Sequence, residues 1–322
     1  MLNGQRSDNP PMIKPHTQAY QESQILIKNI ILRHHLYQQI RCFFINRGYM
    51  EVETPILVPC PGIDPHIEAI ATEKQMYLAT SPELHMKRLL GMGMKRIFQF
   101  TKAFRKGEEG GLHNPEFSIL EWYHTDEDYL YLMGEVEALI RELVEVLSKQ
   151  GINYLNLGHD PFPKYTIDNL FDTYAGWIPS ENWDEERFFL DFIEKVEPQI
   201  GSEPAVIIYD FPAPLASLAR LKSDDPLRCE RFELYLDGLE VSNAFTELTD
   251  PREQKERFFA AQERRRKMGK DAYPLDHKFL QVLEKGLLPP CTGIAMGLDR
   301  LIMALTGEHR IEKVMTFSVS RL

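Results

Sequence analysis

Glu233 and Glu240 flank an Asp-Gly pair in FELYLDGLEVSNAFTEL (232–248). A two-residue turn at 237–238 is a strong hairpin signal. It pairs Tyr235 with Glu240 and Leu236 with Leu239. Glu233 lies two residues from Tyr235, so the two glutamates share a face and stand diagonal to each other. Neighbouring carboxylates repel unless a cation lies between them. A hard divalent ion whose shell is completed by phosphate oxygens is one solution; two solvent-facing glutamates are the other. Asn243, Phe245 and Glu247 continue the segment with one parity, which a regular strand turns away from Glu240. Either a bulge lies near Ser242 or the two sets serve different faces.

Three further stretches carry residues of this kind. In EFSILEWYHT (116–125), Phe117, Ile119, Glu121 and Tyr123 share one strand face. A carboxylate in mid-strand is costly unless solvated or paired, so this is a water-facing edge or a pocket wall for a cationic ligand. In TGIAMGLDRL (292–301), Gly293, Ala295 and Gly297 leave one face almost bare. That weakens a strand unless something must approach it closely. Arg300 follows this floor, and Arg105 opens the loop RKGEEGGLHNP (105–115). Two arginines beside a dicarboxylate and a small-residue floor suit a nucleoside triphosphate, although each alone reads as a surface ion pair. Glu83, in SPELHMKRLLG, is a pocket residue or a first-turn carboxylate favoured by the helix dipole.

The elements that must position these residues follow from periodicity. Helices are expected over 22–47, 81–90 with Ser81 as N-cap and Gly91 past the end, 129–149, 251–268 and about 275–285, with one more at the C-terminus. In the first, Ile27, Ile30, Ile31, Tyr37, Ile40, Phe43 and Phe44 form the apolar stripe. Strands are expected over 75–80, 96–104, 116–125, 205–211 and the 232–248 hairpin. Hairpins rather than βα crossovers favour an α+β fold with a mostly antiparallel sheet flanked by helices. No GxGxxG or Walker loop follows a strand. Residues 1–20 read as a flexible leader and 21–322 as one catalytic domain, with 150–200 an insertion of mixed helix and loop. The net charge of −11 argues against a large RNA footprint. The basic run Arg264–Lys267 reads as a solvated helix face or as a nucleic-acid or partner patch. Four cysteines without CxxC spacing, no apolar run long enough for a membrane and no signal layout fit a cytoplasmic protein.

Taken in order, GYMEVETPIL, TSPELHMKRL, FRKGEEGGLHNPEFSILEWY, ELYLDGLEVSNAFTELTD and GIAMGLDRL resemble class II aminoacyl-tRNA synthetases of the lysyl type. The resemblance covers about residues 25–322, broken mainly at 150–200. It implies a six- or seven-stranded antiparallel catalytic sheet, homodimerisation through the Pro55 region, and amino-acid activation by ATP with Mg²⁺. By position, Arg105 would hold the carboxylate and α-phosphate, and His113 and Arg300 the outer phosphates. Asn114 would border the nucleotide, Phe117 would stack on adenine, and Glu233 and Glu240 would bind Mg²⁺. Ser81, Glu83, Glu121, Tyr123, Asn243, Phe245, Glu247 and Ala295 would line the amino-acid pocket. Gly107 stands where the family has a glutamate, so Glu108 or the backbone meets adenine.

The stretch before Pro55 is mostly one helix, with no room for the five-stranded anticodon-binding barrel of lysyl synthetases. Ser81, LEWY (120–123) and Ala295 instead resemble the elongation factor P–(R)-β-lysine ligase family, where the synthetases have alanine, LELY-like and glycine. That resemblance implies transfer of (R)-β-lysine to a lysine of elongation factor P, with no membrane and no tRNA as partner. The alternative is a truncated lysyl-type enzyme charging tRNA with α-lysine. Ala295, one methyl larger than glycine, is expected to crowd the α-amino position.

Overall fold

The computed structural model describes residues 18–149, 151 and 155–322. Runs of β-branched and aromatic residues form the strands. In chain order these are β1 (Met50–Glu51), β2 (Leu57–Val58), β3 (Tyr77–Leu78), β4 (Arg96–Phe104), β5 (Glu116–Thr125), β6 (Lys164–Thr166), β7 (Ala205–Pro212), β8 (Arg228–Leu236), β9 (Leu239–Thr246) and β10 (Cys291–Gly297). β2 and β3 pair only with each other. The rest form an eight-stranded sheet in the order β1-β4-β5-β10-β9-β8-β7-β6. Its six central strands are antiparallel. Parallel pairing is confined to the edges, β1 with β4 and β6 with β7. The helices are α1 (Gln18–Asn46), α2 (Glu83–Gly91), α3 (Tyr129–Lys149), α4 (Ile167–Ala175), α5 (Glu185–Asp191), α6 (Glu197–Ile200), α7 (Pro251–Lys267), α8 (His277–Glu284) and α9 (Leu298–Thr306). The fold is α+β, as expected, with more strands in the sheet than the resemblance implied.

Alternation along the strands gives the sheet two unlike faces. Phe98, Leu120, Trp122, Phe232, Ile294 and Met296 point one way into the largest core, against α1, α3 and α9. α1 buries Leu32, Leu36, Ile40, Phe43 and Phe44, whereas Ile27 and Ile31, assigned to the same stripe, are exposed. It begins at Gln18, so residues 18–20 belong to a helix rather than a leader; residues 1–17 lie outside the described residues. Gly91 is the last residue of α2 rather than a stop beyond it.

Two expectations need larger correction. The stretch 150–200 is not only helix and loop: β6 extends the main sheet. α4, α5, the π-turn Phe192–Val196 and α6 close a second core, where Phe171 and Phe188 stack at 4.7 Å. The basic run is not simply a solvated face. Arg265 is 2% exposed and donates to the carbonyls of Pro65, Ile67 and Asp271 and to Glu68. Its role is to tie α7 to the chain before β3.

The other sheet face carries the candidate site, and a bulge sets its register. Leu234 pairs with Ser242 but Tyr235 pairs with Glu240, leaving Val241 as the extra residue. The bulge reverses the parity, so Asn243 and Phe245 return to the face of Glu240 and lie opposite Glu233 and Arg231. One row across the sheet therefore runs Gln99, Glu121, Ala295, Asn243, Glu233; the next runs Ile97, Tyr123, Gly293, Phe245, Arg231.

Gly293 is not open floor. A Cβ there would lie 2.2 Å from Tyr123 Cε1 and 2.6 Å from Glu247 Oε1, so the neighbouring side chains already occupy the space. At Gly297 the nearest atom would be 4.0 Å away. Gly293→Ala is expected to cost about 1–3 kcal/mol through overpacking, read as a lower thermal midpoint, whereas Gly297→Ala should leave the midpoint unchanged. Equal midpoints for both variants would contradict this packing.

Candidate active site

Two cavities meet on the bare face. One, of about 380 Å³, is lined by Arg105, Glu108, His113, Asn114, Phe117, Glu240, Gly297 and Arg300, among others. The second, of about 180 Å³, is lined by Ser81, Glu83, Glu121, Tyr123, Phe245 and Gly293, among others. Ile67, Arg105, Ile119, Asn243 and Ala295 border both. Apart from Glu233 and Glu247, which line neither, the expected nucleotide and amino-acid residues separate into two adjoining spaces, with Ala295 and Arg105 at the junction. Glu247 lies beyond the second cavity, behind Gly293.

The larger cavity is cationic on one wall. Arg300 Nη2 lies 2.5 Å from His113 Nε2, and Arg300 Nη1 donates to the Glu240 carbonyl at 3.1 Å. Burial, then Arg300, lowers the His113 pKa. Arg105 sits 5.0 Å from the Phe117 ring centre, has Glu108 at 3.7 Å, and keeps a buried Nε without a partner. Asn114 borders the cavity, but its amide is engaged: it donates to Glu116 O and accepts from Val319 N. Asn114 therefore shapes the loop.

Glu233 lines neither cavity; it is 7% exposed, and burial together with Glu240 pushes it up to about 7. Its oxygens accept from Arg231 at 2.7 Å and Tyr235 at 3.1 Å. Arg231 also donates to Asn243 Oδ1 at 3.1 Å and to Leu215 O, and so fixes the corner between the cavities. Glu197 of α6 lines a separate apolar groove of about 660 Å³ together with Glu233 and Glu240. Burial, then Glu240, raises its pKa.

The smaller cavity ends in a carboxylate cage. Glu121 accepts from Ser81 Oγ at 2.6 Å and Tyr123 Oη at 3.0 Å. Lys87 Nζ lies 2.6 Å from Glu83 and contacts Glu247. Glu121 and Glu247 are each 1% exposed. Burial pushes both up to about 8, and Glu83 adds to it in each case. Such a cage suits a cationic guest.

The family model for class II tRNA synthetases (D, K and N) matches residues 16–321. A protein of Mannheimia succiniciproducens named elongation factor P–(R)-β-lysine ligase is 39% identical; the match spans 91% of this chain and 96% of that protein. Proteins of the same name from Proteus mirabilis (39%, 92% and 96%) and Haemophilus ducreyi (37%, 92% and 95%) are similar in extent. The chain belongs to this ligase family within the class II synthetases.

Three residues of this family member escaped the sequence reading. Lys87 stands four residues after Glu83, a spacing that also describes an ordinary surface pair. Arg231 shares its face with Glu233 by simple alternation, a signal that was available. Glu197 lies in the stretch with no readable pattern.

The cage predicts a pH dependence. Carboxyl groups near 8 are mostly neutral at pH 6.5 and mostly ionised at pH 8.5, so they attract a cation more strongly as pH rises. Calorimetric affinity for a diamino acid should rise roughly tenfold across that range; a flat profile would contradict the cage assignment.

Proposed function

We propose that the protein activates (R)-β-lysine with ATP and transfers it to the ε-amino group of a lysine on elongation factor P. The observation that carries this reading is the junction: an arginine-walled cavity opens directly onto a carboxylate cage. The relatives' shared name supports the substrate and the acceptor.

In the first step a carboxylate oxygen of β-lysine attacks the α-phosphorus of ATP. The bond from that phosphorus to the bridging oxygen breaks, and pyrophosphate leaves. In this reading Arg105, at the junction of the two cavities, pairs with both the carboxylate and the α-phosphate, and His113 and Arg300 take the outer phosphates. Their charge and fixed direction stabilise the transition state more than any proton transfer. In this reading Glu233, which also accepts from Arg231 and Tyr235, and Glu240 would supply two carboxylates to one hard divalent cation, with positions left for phosphate oxygens and water. Mg²⁺ bound there would neutralise phosphate charge. Glu83 and Glu121, which line the smaller cavity, face the ammonium groups of the guest, with Glu247 adding negative charge from behind Gly293.

In the second step the neutral amine of the acceptor lysine attacks the adenylate carbonyl. A C–N bond forms, the C–O bond to AMP breaks, and the amine proton passes to solvent or phosphate. The site offers no obvious protein base for it.

Homodimerisation is part of this reading. Exposed Ile27, Ile31 and Ile45 on α1 and Met50 on edge strand β1 supply apolar surface for a second copy. A cytoplasmic location suits four unpaired cysteines. No described helix is long and apolar enough to cross a membrane.

ATP–pyrophosphate exchange tests the reading. Exchange is expected with (R)-β-lysine in clear preference to α-lysine, and a strong α-lysine preference would overturn the substrate assignment. Ala295→Gly should move the ratio toward α-lysine, by about tenfold if one methyl crowds the α-amino position. An unmoved ratio would reduce Ala295 to packing.

A further inference from the structure

The carboxylate cage contains its own cation. Lys87 projects from α2 one turn after Glu83, lies 2.6 Å from Glu83 Oε1, touches Glu247, and sits 5.2 Å from the Phe245 ring centre. Its side chain is 1% exposed. A buried ammonium is costly unless paired. Burial works against the charge here, but Glu247 and Glu83 outweigh it and raise Lys87 above its ordinary value. Glu121 and Tyr123 from β5 and Cys291 from β10 also face the Lys87 ammonium and its carboxylates, while Asp64, His85, Arg105 and Arg231 line the same cavity farther out, Arg231 being paired with Glu233. Burial holds Tyr123 and Cys291 neutral. Glu83, Glu121 and Glu247 outnumber the one ammonium by two, so once a cationic guest draws the protons off Glu121 and Glu247 the cage holds two negative charges in excess.

We infer that Lys87 is a specificity-determining residue: a fixed counter-ion that sets the pocket's unbalanced charge so that it matches an amino acid with two ammonium groups. The inference rests on the proposed amino-acid activation. An amino acid of the same length with one ammonium group leaves a buried carboxylate uncompensated, and the pocket rejects it on charge rather than shape. Lys87 acts through Glu83 and Glu247; it is a positioning residue with no step in the chemistry.

The test compares wild type, Glu247→Gln, and the double variant Lys87→Met with Glu247→Gln in ATP–pyrophosphate exchange. The substrates are (R)-β-lysine and (R)-3-aminohexanoate, which lacks the second amine. Glu247→Gln leaves one excess charge, and the preference for the diamine should fall about a hundredfold. Adding Lys87→Met restores the excess to two, and the preference should return to within about tenfold of wild type. A lysine needed only for packing gives the opposite sign: the double variant is then no more selective than the single one, which would overturn the inference. If the double variant fails to fold by circular dichroism, Lys87→Met alone decides. A proton must then replace the ammonium, so the KM–pH profile for β-lysine should move up by about one pH unit; an unmoved profile overturns the inference. Wild type that exchanges with no diamino acid refutes the proposed function. Wild type that exchanges while the variants ignore the charge count refutes only the role of Lys87.

Discussion

Two buried carboxylates, Glu121 and Glu247, stand near a third, Glu83, with one ammonium among them. Much of the local structure answers that constraint. Like charges in a low-dielectric interior must be paired, hydrogen-bonded or protonated. Ser81 and Tyr123 hold Glu121, and Lys87 pairs with Glu83 and Glu247. Gly293 is required because Tyr123 and Glu247 already fill the space over its backbone. The remaining deficit of positive charge is the basis of the proposal that the cage receives a cationic guest.

The sheet works as a ruler between two chemistries. Its rows set Glu121, Ala295, Asn243 and Glu233 side by side, so the cage stands at a fixed distance from the arginine-walled cavity. The bulge at Val241 is decisive, because without it Asn243 and Phe245 would face the opposite core. Arg231 locks the result by bonding Asn243 and Glu233 together.

Local signals were legible in the sequence where one principle dominated. The Asp-Gly turn gave the hairpin register, and alternation gave the shared face of Phe117, Glu121 and Tyr123. β4, β5 and α3 have the expected bounds, 96–104, 116–125 and 129–149. Long-range pairing was not legible. Arg265 reads as one of four surface cations until Pro65 and Ile67 arrive from two hundred residues away. The short β6 has no periodicity to reveal it. Gly293 looked like floor for a ligand because its neighbours belong to other strands. The residues that could bind ATP and an amino acid were named from type, spacing and resemblance, but their division into two cavities required the fold.

The central claim is that a lysyl-type synthetase site serves a protein acceptor. Intact mass spectrometry of elongation factor P after incubation with this protein, ATP, Mg²⁺ and (R)-β-lysine tests it most directly. The account predicts a gain of one β-lysyl group on a single lysine. Unmodified elongation factor P, with tRNA charged by α-lysine in the parallel reaction, would contradict it.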